Sequence, residues 1–359
     1  MKKAYFILFA LLSSFVVFSQ RVDLDKYNFN ASYIDLPRMV VDTSYKTYSV
    51  EIDAGSALSK DLDEENLLEL VNIEGWKKLP DNGHVKIFTR LEDIFVENVE
   101  VKERVEVLKD KDGKETGRRS HYYVQLRYTF AANAKVSDYK GNLINTFTLA
   151  HRDNSQTYNT KEFSSFIEAS LYYKFRGLDF TKGIAKRAVR NAMNHLSNSM
   201  SYNYGYNPRT VNDFLWILDS KKHPEYDAHR KAWLVFKQAM FQMSAEEPID
   251  QLKQSLVSVI NYYEKIKKMY SSNSKSDRKL RYASYFNLAK IYYYLDDPDA
   301  AMREAGGLML NEFDEKDGKR LEAAATELKW LFKQNKFTSR HFPLDIEKYT
   351  GPEIVSINQ

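Results

Sequence analysis

Between Tyr45 and about Leu149 the chain alternates apolar and polar residues with a period of two. Val99, Val101, Val105 and Val107 fall on one face, and Glu100, Lys102, Arg104 and Glu106 on the other, the pattern of a half-buried strand. Asp110-Lys111-Asp112-Gly113, running on through Gly117, has the composition of a hairpin loop. The return strand puts Tyr122, Val124, Leu126, Tyr128, Phe130, Ala132 and Ala134 on one face and Tyr123, Gln125, Arg127 and Thr129 on the other. Together they predict a long antiparallel hairpin. Val85, Ile87, Thr89 and Leu91 predict a strand before it, and residues 143–149 one after it, past a turn at Lys140-Gly141. A helix over 62–71, capped by Asp61 or Asp63, is expected ahead of the sheet. Two more, over 161–174 and 180–199, follow it, the second with an inward stripe of Ile184, Ala188, Ala192 and His195 or Leu196. An antiparallel sheet with one solvated face and helices on the other reads as an α+β, sandwich-like domain.

Residues 199–208, SMSYNYGYNP, have a linker's composition. Beyond them the period becomes 3.6, and helices are expected over 210–219, 224–243, 248–270, 277–295, 298–311 and 319–333. Pro224, Pro248 and Pro298 stand where a helix begins, a position at which the missing N–H costs nothing. Short loops between these helices imply antiparallel hairpins. Residues 337–359 carry two prolines and no period, and are expected to wrap back on the domain or fray.

The start of the chain changes the picture of where it works. Lys2 and Lys3 precede an uncharged apolar run over 4–18, too short for a spanning helix, which needs roughly 20 residues. It suits a signal peptide cleaved between Ser19 and Gln20. The expected division is a signal peptide over 1–19, an α+β domain over 20–205, an all-α helical-hairpin domain over 206–340 and a tail over 341–359. The absence of cysteine rules out a lipid-anchoring cysteine, disulfides, thiolate metal sites and cysteine nucleophiles. No second apolar run reaches membrane-spanning length, so no span is expected in the mature chain. Hydrophobic content of 43% and charged content of 28% are those of a globular protein. The formal charge of +4 includes the two leader lysines and gives no electrostatic case for nucleic acid. With 25 Tyr and 21 Phe the chain is rich in aromatics, which serve both interfaces and half-wet cores.

The stretch YASYFNLAKIYYYLDDPDAAMREAGGLM resembles one tetratricopeptide repeat. Tyr285, Leu288, Ala289 and Tyr292 match its first helix, Ala301, Ala305 and Leu308 its second, and Asp296, Asp297 and Pro298 the turn between. The likeness covers roughly 30 residues. The hairpin over 224–270 fits the architecture but not the pattern, and the helix over 321–332 would cap the stack. At least three units usually bury a continuous core, so the α/β part or a partner would complete this one. The resemblance implies a concave groove lined by Phe286, Lys290, Tyr293 and Tyr294, available to a protein partner; the other reading packs Tyr293 and Tyr294 on the adjoining hairpin. In element order the N-terminal region is also similar to small periplasmic α/β domains of outer-membrane assembly and secretion components.

Chemistry is sparse. His223 and His229 in HPEYDAH lie six apart, which puts them on no shared helix face, and Pro224 marks a helix start. DKDG at Asp110 and DEKDG at Asp314 fall short of a calcium loop and read as turns. There is no HExxH, GxSxG, P-loop or GxGxxG, and Gly306-Gly307 reads as a close-packing site. No catalytic residue, metal or cofactor is expected. One charge cluster, Lys174, Arg176, Lys182, Lys186, Arg187 and Arg190, faces the single acid Asp179 and suits an acidic partner, an anionic lipid surface or a polyanionic glycan. These features suggest a non-enzymatic periplasmic scaffold or adaptor that binds protein partners of an envelope or outer-membrane complex, in envelope biogenesis or secretion, with release beyond the outer membrane left open. The alternatives are a hydrolase of cell-wall or glycan substrates, and a glycan-binding protein that stacks sugars on Tyr202, Tyr204 and Tyr206.

Overall fold

The computed structural model describes residues 21–62 and 67–353. The expected signal peptide, the Asp63 cap and part of the helix over 62–71 lie outside them. The described chain is mixed α+β and forms two compact units: residues 21–35 with Pro208–Pro343, and Leu36–Asn207 with residues 344–353. The boundary expected after 205 lies close to the crossing at 207/208, but a single cut does not describe the chain. Residues 21–35, expected in the α+β domain, belong with the helices, because strand β1 (Leu24–Asp35) pairs with a strand far along the chain. Local periodicity carries no information about such a partner.

In the sheet unit, β2 (Thr47–Ala54) leads to α1 (Ser56–Asp61), β3 (Lys77–Lys78), β4 (Val85–Leu91), β5 (Phe95–Lys109), β6 (Glu115–Thr129), β7 (Ala132–Asp138), β8 (Leu143–Ala150), β9 (Gln156–Asn159) and α2 (Phe166–Tyr204). One sheet has the order β3-β2-β4-β7-β8 and a second β5-β6-β9. The first is not the purely antiparallel sheet expected, since β2 runs parallel to both β3 and β4. Strand β4 alternates buried and exposed as its sequence dictates. The long return strand is interrupted at Phe130-Ala131, and β6 and β7 enter different sheets although their inward phase is unbroken. At the β5–β6 turn Asp110 Oδ1 accepts the N–H of Asp112 and of Lys114, at 3.0 and 2.9 Å, so DKDG is a turn.

The two helices expected over 161–174 and 180–199 are one helix, α2, 39 residues long. Ser165 caps it by accepting the Glu168 N–H at 3.2 Å. The ring of Tyr173 lies against Gly177, where the sequence suggested a break. Of the expected linker over 199–208, residues 199–204 are instead the end of this helix and 207–208 open the next strand, β10 (Asn207–Leu218). Gly205 closes the helix with its N–H on Ser201 O, at 2.9 Å, and the Trp76 indole donates to Tyr204 O at 2.8 Å.

In the helical unit, residues 210–219 are not a helix but lie in β10 (Asn207–Leu218). Asp219 N–H donates to Asp23 O, and the Ser32 and Thr210 hydroxyls are 2.9 Å apart, so β1 and β10 form an antiparallel ribbon. Then come α3 (Tyr226–Phe241), α4 (Asp250–Met269), α5 (Lys275–Tyr294), α6 (Pro298–Leu310) and α7 (Glu315–Asn335), close to the ranges read from sequence. Asp297 caps α6 by accepting the Ala300 N–H at 2.9 Å, with Pro298 in the first turn. Asp314 caps α7, which accounts for DEKDG. A Cβ on Gly307 would sit 2.4 Å from the Tyr285 ring, so α5 and α6 approach there at a distance only glycine allows. The core gathers Phe29, Leu215 and Ile217 of the ribbon with Trp233 and Phe236 of α3, Leu256 and Tyr263 of α4, and Leu288 and Ile291 of α5. Residues beyond α7 return across this unit: Arg340, 2% exposed, pairs with buried Asp296 at 2.7 Å and also donates to Tyr293 O.

Candidate interaction surfaces

Two helix faces carry the residues singled out above, and they have opposite surroundings. On α5, Phe286 is fully buried and stacks on Phe214 of β10, with ring centroids 5.4 Å apart. The Lys290 ammonium pairs with Asp213 and lies 4.2 Å from the centre of the Phe214 ring. Burial pulls the Lys290 pKa down and Asp213 opposes that shift. The Tyr294 hydroxyl donates to the same carboxylate at 2.8 Å, and burial pushes its pKa up. Tyr293 is half-buried under the Arg340 guanidinium, 4.6 Å from its ring centre. Asn287 holds β10 in the manner of a neighbouring strand: its Oδ1 accepts the Trp216 N–H at 2.9 Å and its Nδ2 donates to Trp216 O at 2.8 Å.

The expected open groove lined by Phe286, Lys290, Tyr293 and Tyr294 is therefore corrected. Phe286, Lys290 and Tyr294 grip the protein's own ribbon through Phe214 and Asp213 of β10. Asn287 and Asp213, which do the gripping, escaped sequence reasoning; the Asp in VNDFLWIL was hidden by the reading of that segment as a helix.

On α2 five of the six basic residues, Arg176, Lys182, Lys186, Arg187 and Arg190, fall within about 140° of one another at about 100° per residue, and Lys174 lies about 80° to the side of Lys182. Arg176 is paired with Asp179 at 2.7 Å, and Arg187 lies over the Tyr158 ring at 5.1 Å. What α2 also presents is an apolar seam, interrupted by Lys182 where its bare half ends. Leu171, Phe175, Leu178, Lys182, Ala185, Val189, Ala192 and Leu196 follow one another at alternating four- and three-residue steps, with Ile167 four residues ahead. From Ala185 onward the seam is buried: Val189 and Leu196 are 0% exposed. There α2 packs beside β8 and the 67–74 segment, with the Tyr204 hydroxyl bonded to Asn145 and the Ser197 hydroxyl to Asn72 O. The first half of the seam is bare, with Ile167 69%, Leu171 47%, Phe175 77% and Leu178 89% exposed, and Phe166 beside it 56%. This half of α2 buries a different face, Ala169 and Ile184 with Tyr172 and Tyr173, against Val124, Leu126 and Tyr128 of β6. Helix α2 thus changes the face it buries midway, and the abandoned stripe is left in solvent, flanked by Lys174 and Lys182.

The proposed sugar platform is not present. Tyr204 and Tyr206 are 3% and 5% exposed, and only Tyr202 is open, with Arg38 4.2 Å above its ring. His229 is wholly buried, with Nδ1 taking the Leu218 N–H at 3.4 Å. Among the described residues no three His, Asp or Glu side chains are placed to hold a metal ion, and no helix is long and apolar enough to cross a membrane.

No protein-family model and no curated protein matches the chain. Among solved structures it is similar to an uncharacterized lipoprotein B from Nitrosomonas europaea, at 11% identity over 47% of this chain and 97% of that one, with a TM-score of 0.18. A likeness of that size does not define a shared fold.

Proposed function

We propose that the protein is a non-enzymatic scaffold, exported to the periplasm, that works by docking rather than by chemistry. In this reading α3 to α6 are two tetratricopeptide-like hairpins capped by α7, with their inner side filled by the β1–β10 ribbon. The stack is a closed structural body, and docking falls to the sheet unit. The observation that carries the proposal is the bare half of the α2 seam. Large apolar side chains collected on one helix face and left in water mark an interaction site far more often than scattered ones do. Here Ile167, Leu171, Phe175 and Leu178 all lie on one stripe. The test is crosslinking in living cells with a C-terminal tag, comparing wild type with Phe175→Glu/Leu178→Glu. The proposal expects wild type to be recovered in the envelope fraction with a reproducible neighbour, and the variant to lose it. Recovery of both proteins alone in the soluble fraction contradicts it.

A further inference from the structure

The bare seam is a convex ridge, not a groove. Phe175 and Leu178 project at 77% and 89% exposure, and the depressions found elsewhere on the molecule are lined by other residues. Three kinds of occupant compete for it: a second copy of this chain, an acidic protein segment and a lipid surface. The uncovered stretch from Ile167 to Leu178 is about 18 Å long at 1.5 Å per residue. One ridge of that length falls short of the roughly 800 Å² per partner that a stable protein interface buries. An antiparallel self-pair centred on the stripe would also bring the two Lys174 ammonium groups together, with nothing opposite to neutralise them. A protein partner must match the projecting tips of Phe175 and Leu178 with a pocket, whereas a fluid interface needs no matching shape.

The charge around the ridge decides further. Residues 166–190 contain Lys174, Arg176, Lys182, Lys186, Arg187 and Arg190 against Glu168 and Asp179, and Asp179 is already engaged by Arg176. Lys174 and Lys182 stand beside the apolar tips, where their aliphatic stems can lie along the stripe and their ammonium groups reach outward. An apolar stripe a few turns long flanked by lysines is the composition of a helix that lies in a membrane interface, drawn there by anionic headgroups. Resting on the reading of the ridge as a docking surface, we propose that the first half of α2 seats Ile167, Leu171, Phe175 and Leu178 in the surface of an anionic lipid bilayer, with Lys174 and Lys182 on the headgroup phosphates.

The experiment uses the full mature chain and sedimentation with large vesicles, either of phosphatidylcholine alone or with a third of phosphatidylglycerol. Variants are Phe175→Ser/Leu178→Ser and Lys174→Glu/Lys182→Glu, their folding checked by far-ultraviolet circular dichroism. The expected result is binding to anionic vesicles at least tenfold stronger than to neutral ones, weakened by salt and reduced at least tenfold in either variant. Absence of binding to anionic vesicles, binding indifferent to lipid charge, or binding unchanged in both variants overturns the lipid assignment. Light scattering and the cellular crosslinking separate this from the underlying reading. A wild-type dimer, or an acidic protein captured by wild type and lost with Phe175→Ser/Leu178→Ser, overturns the lipid and keeps the ridge as a docking site. If the serine variant changes none of lipid binding, mass and captured neighbour, both fail.

Discussion

Helices α5 and α2 carry nearly the same local message, aromatic residues with a lysine among them at helical spacing, and the fold treats them oppositely. On α5, Phe286, Lys290 and Tyr294 are enclosed by a ribbon whose strands come from residues 24–35 and 207–218. On α2, Leu171, Phe175 and Leu178 meet water, although the same seam is fully covered from Ala185 onward. The helix itself does not decide which stripe is buried. What decides is whether a segment distant in sequence arrives to cover it.

Breaking the covered side should have the largest effect. Phe286→Ala removes a fully buried ring from between Phe214 and Trp216, and a loss of about 3–5 kcal/mol is expected in urea denaturation. Acid should act next, through the core beside the ribbon. Burial, helped by His223 and Arg230, holds His229 at a pKa of about 3. The folded protein keeps this imidazole neutral while the unfolded chain takes up a proton below about pH 6.5. Its stability is therefore intact above pH 6.5 and is lost as pH falls toward 3, by about 3 kcal/mol near pH 4.5. A thermal-unfolding series from pH 7 to 4.5 should show the midpoint falling, with a shallower fall in His229→Gln. Asn287→Ala strips the Trp216 N–H and C=O of their partner and should cost about 1–3 kcal/mol. On the bare side, Phe175→Ser and Leu178→Ser should change stability by no more than about 0.5 kcal/mol, even while they abolish docking. A large destabilisation there would mean that the ridge is covered in solution, and would erase the contrast between the two helices.

Much of this fold is legible in the sequence. Strict alternation places β4, and the β5–β6 hairpin forms as expected although Val105 and Val107, on the face read as inward, are 49% and 43% exposed; capping residues with Pro298 place the later helices close to their observed ends. The ribbon is not legible, for a physical reason. In VNDFLWIL, Val211, Phe214, Leu215 and Leu218 fit a helix stripe, whereas the strand buries Leu215 and Ile217 on one side and sets Phe214 and Trp216 against α5 on the other. A strand covered on both faces loses the period that would announce it. The gap expected over 175–179 and the SMSYNYGYNP composition do not interrupt α2 before Tyr204, because packing of Tyr173 and Tyr204 overrides local preference. The seam spacing from Leu171 to Leu196 is present in the sequence as a repeat of fours and threes. Which half of it stays bare follows from tertiary placement alone.

The contrast between a filled face and a bare one is tested most directly by hydroxyl-radical footprinting of the lipid-free protein, read residue by residue by mass spectrometry. The account predicts rapid oxidation of Phe175 and Leu178 and strong protection of Phe286 and Tyr294, with Phe175 and Leu178 becoming protected when anionic vesicles are added. Protection of Phe175 and Leu178 in the lipid-free monomer, or ready oxidation of Phe286, would contradict it.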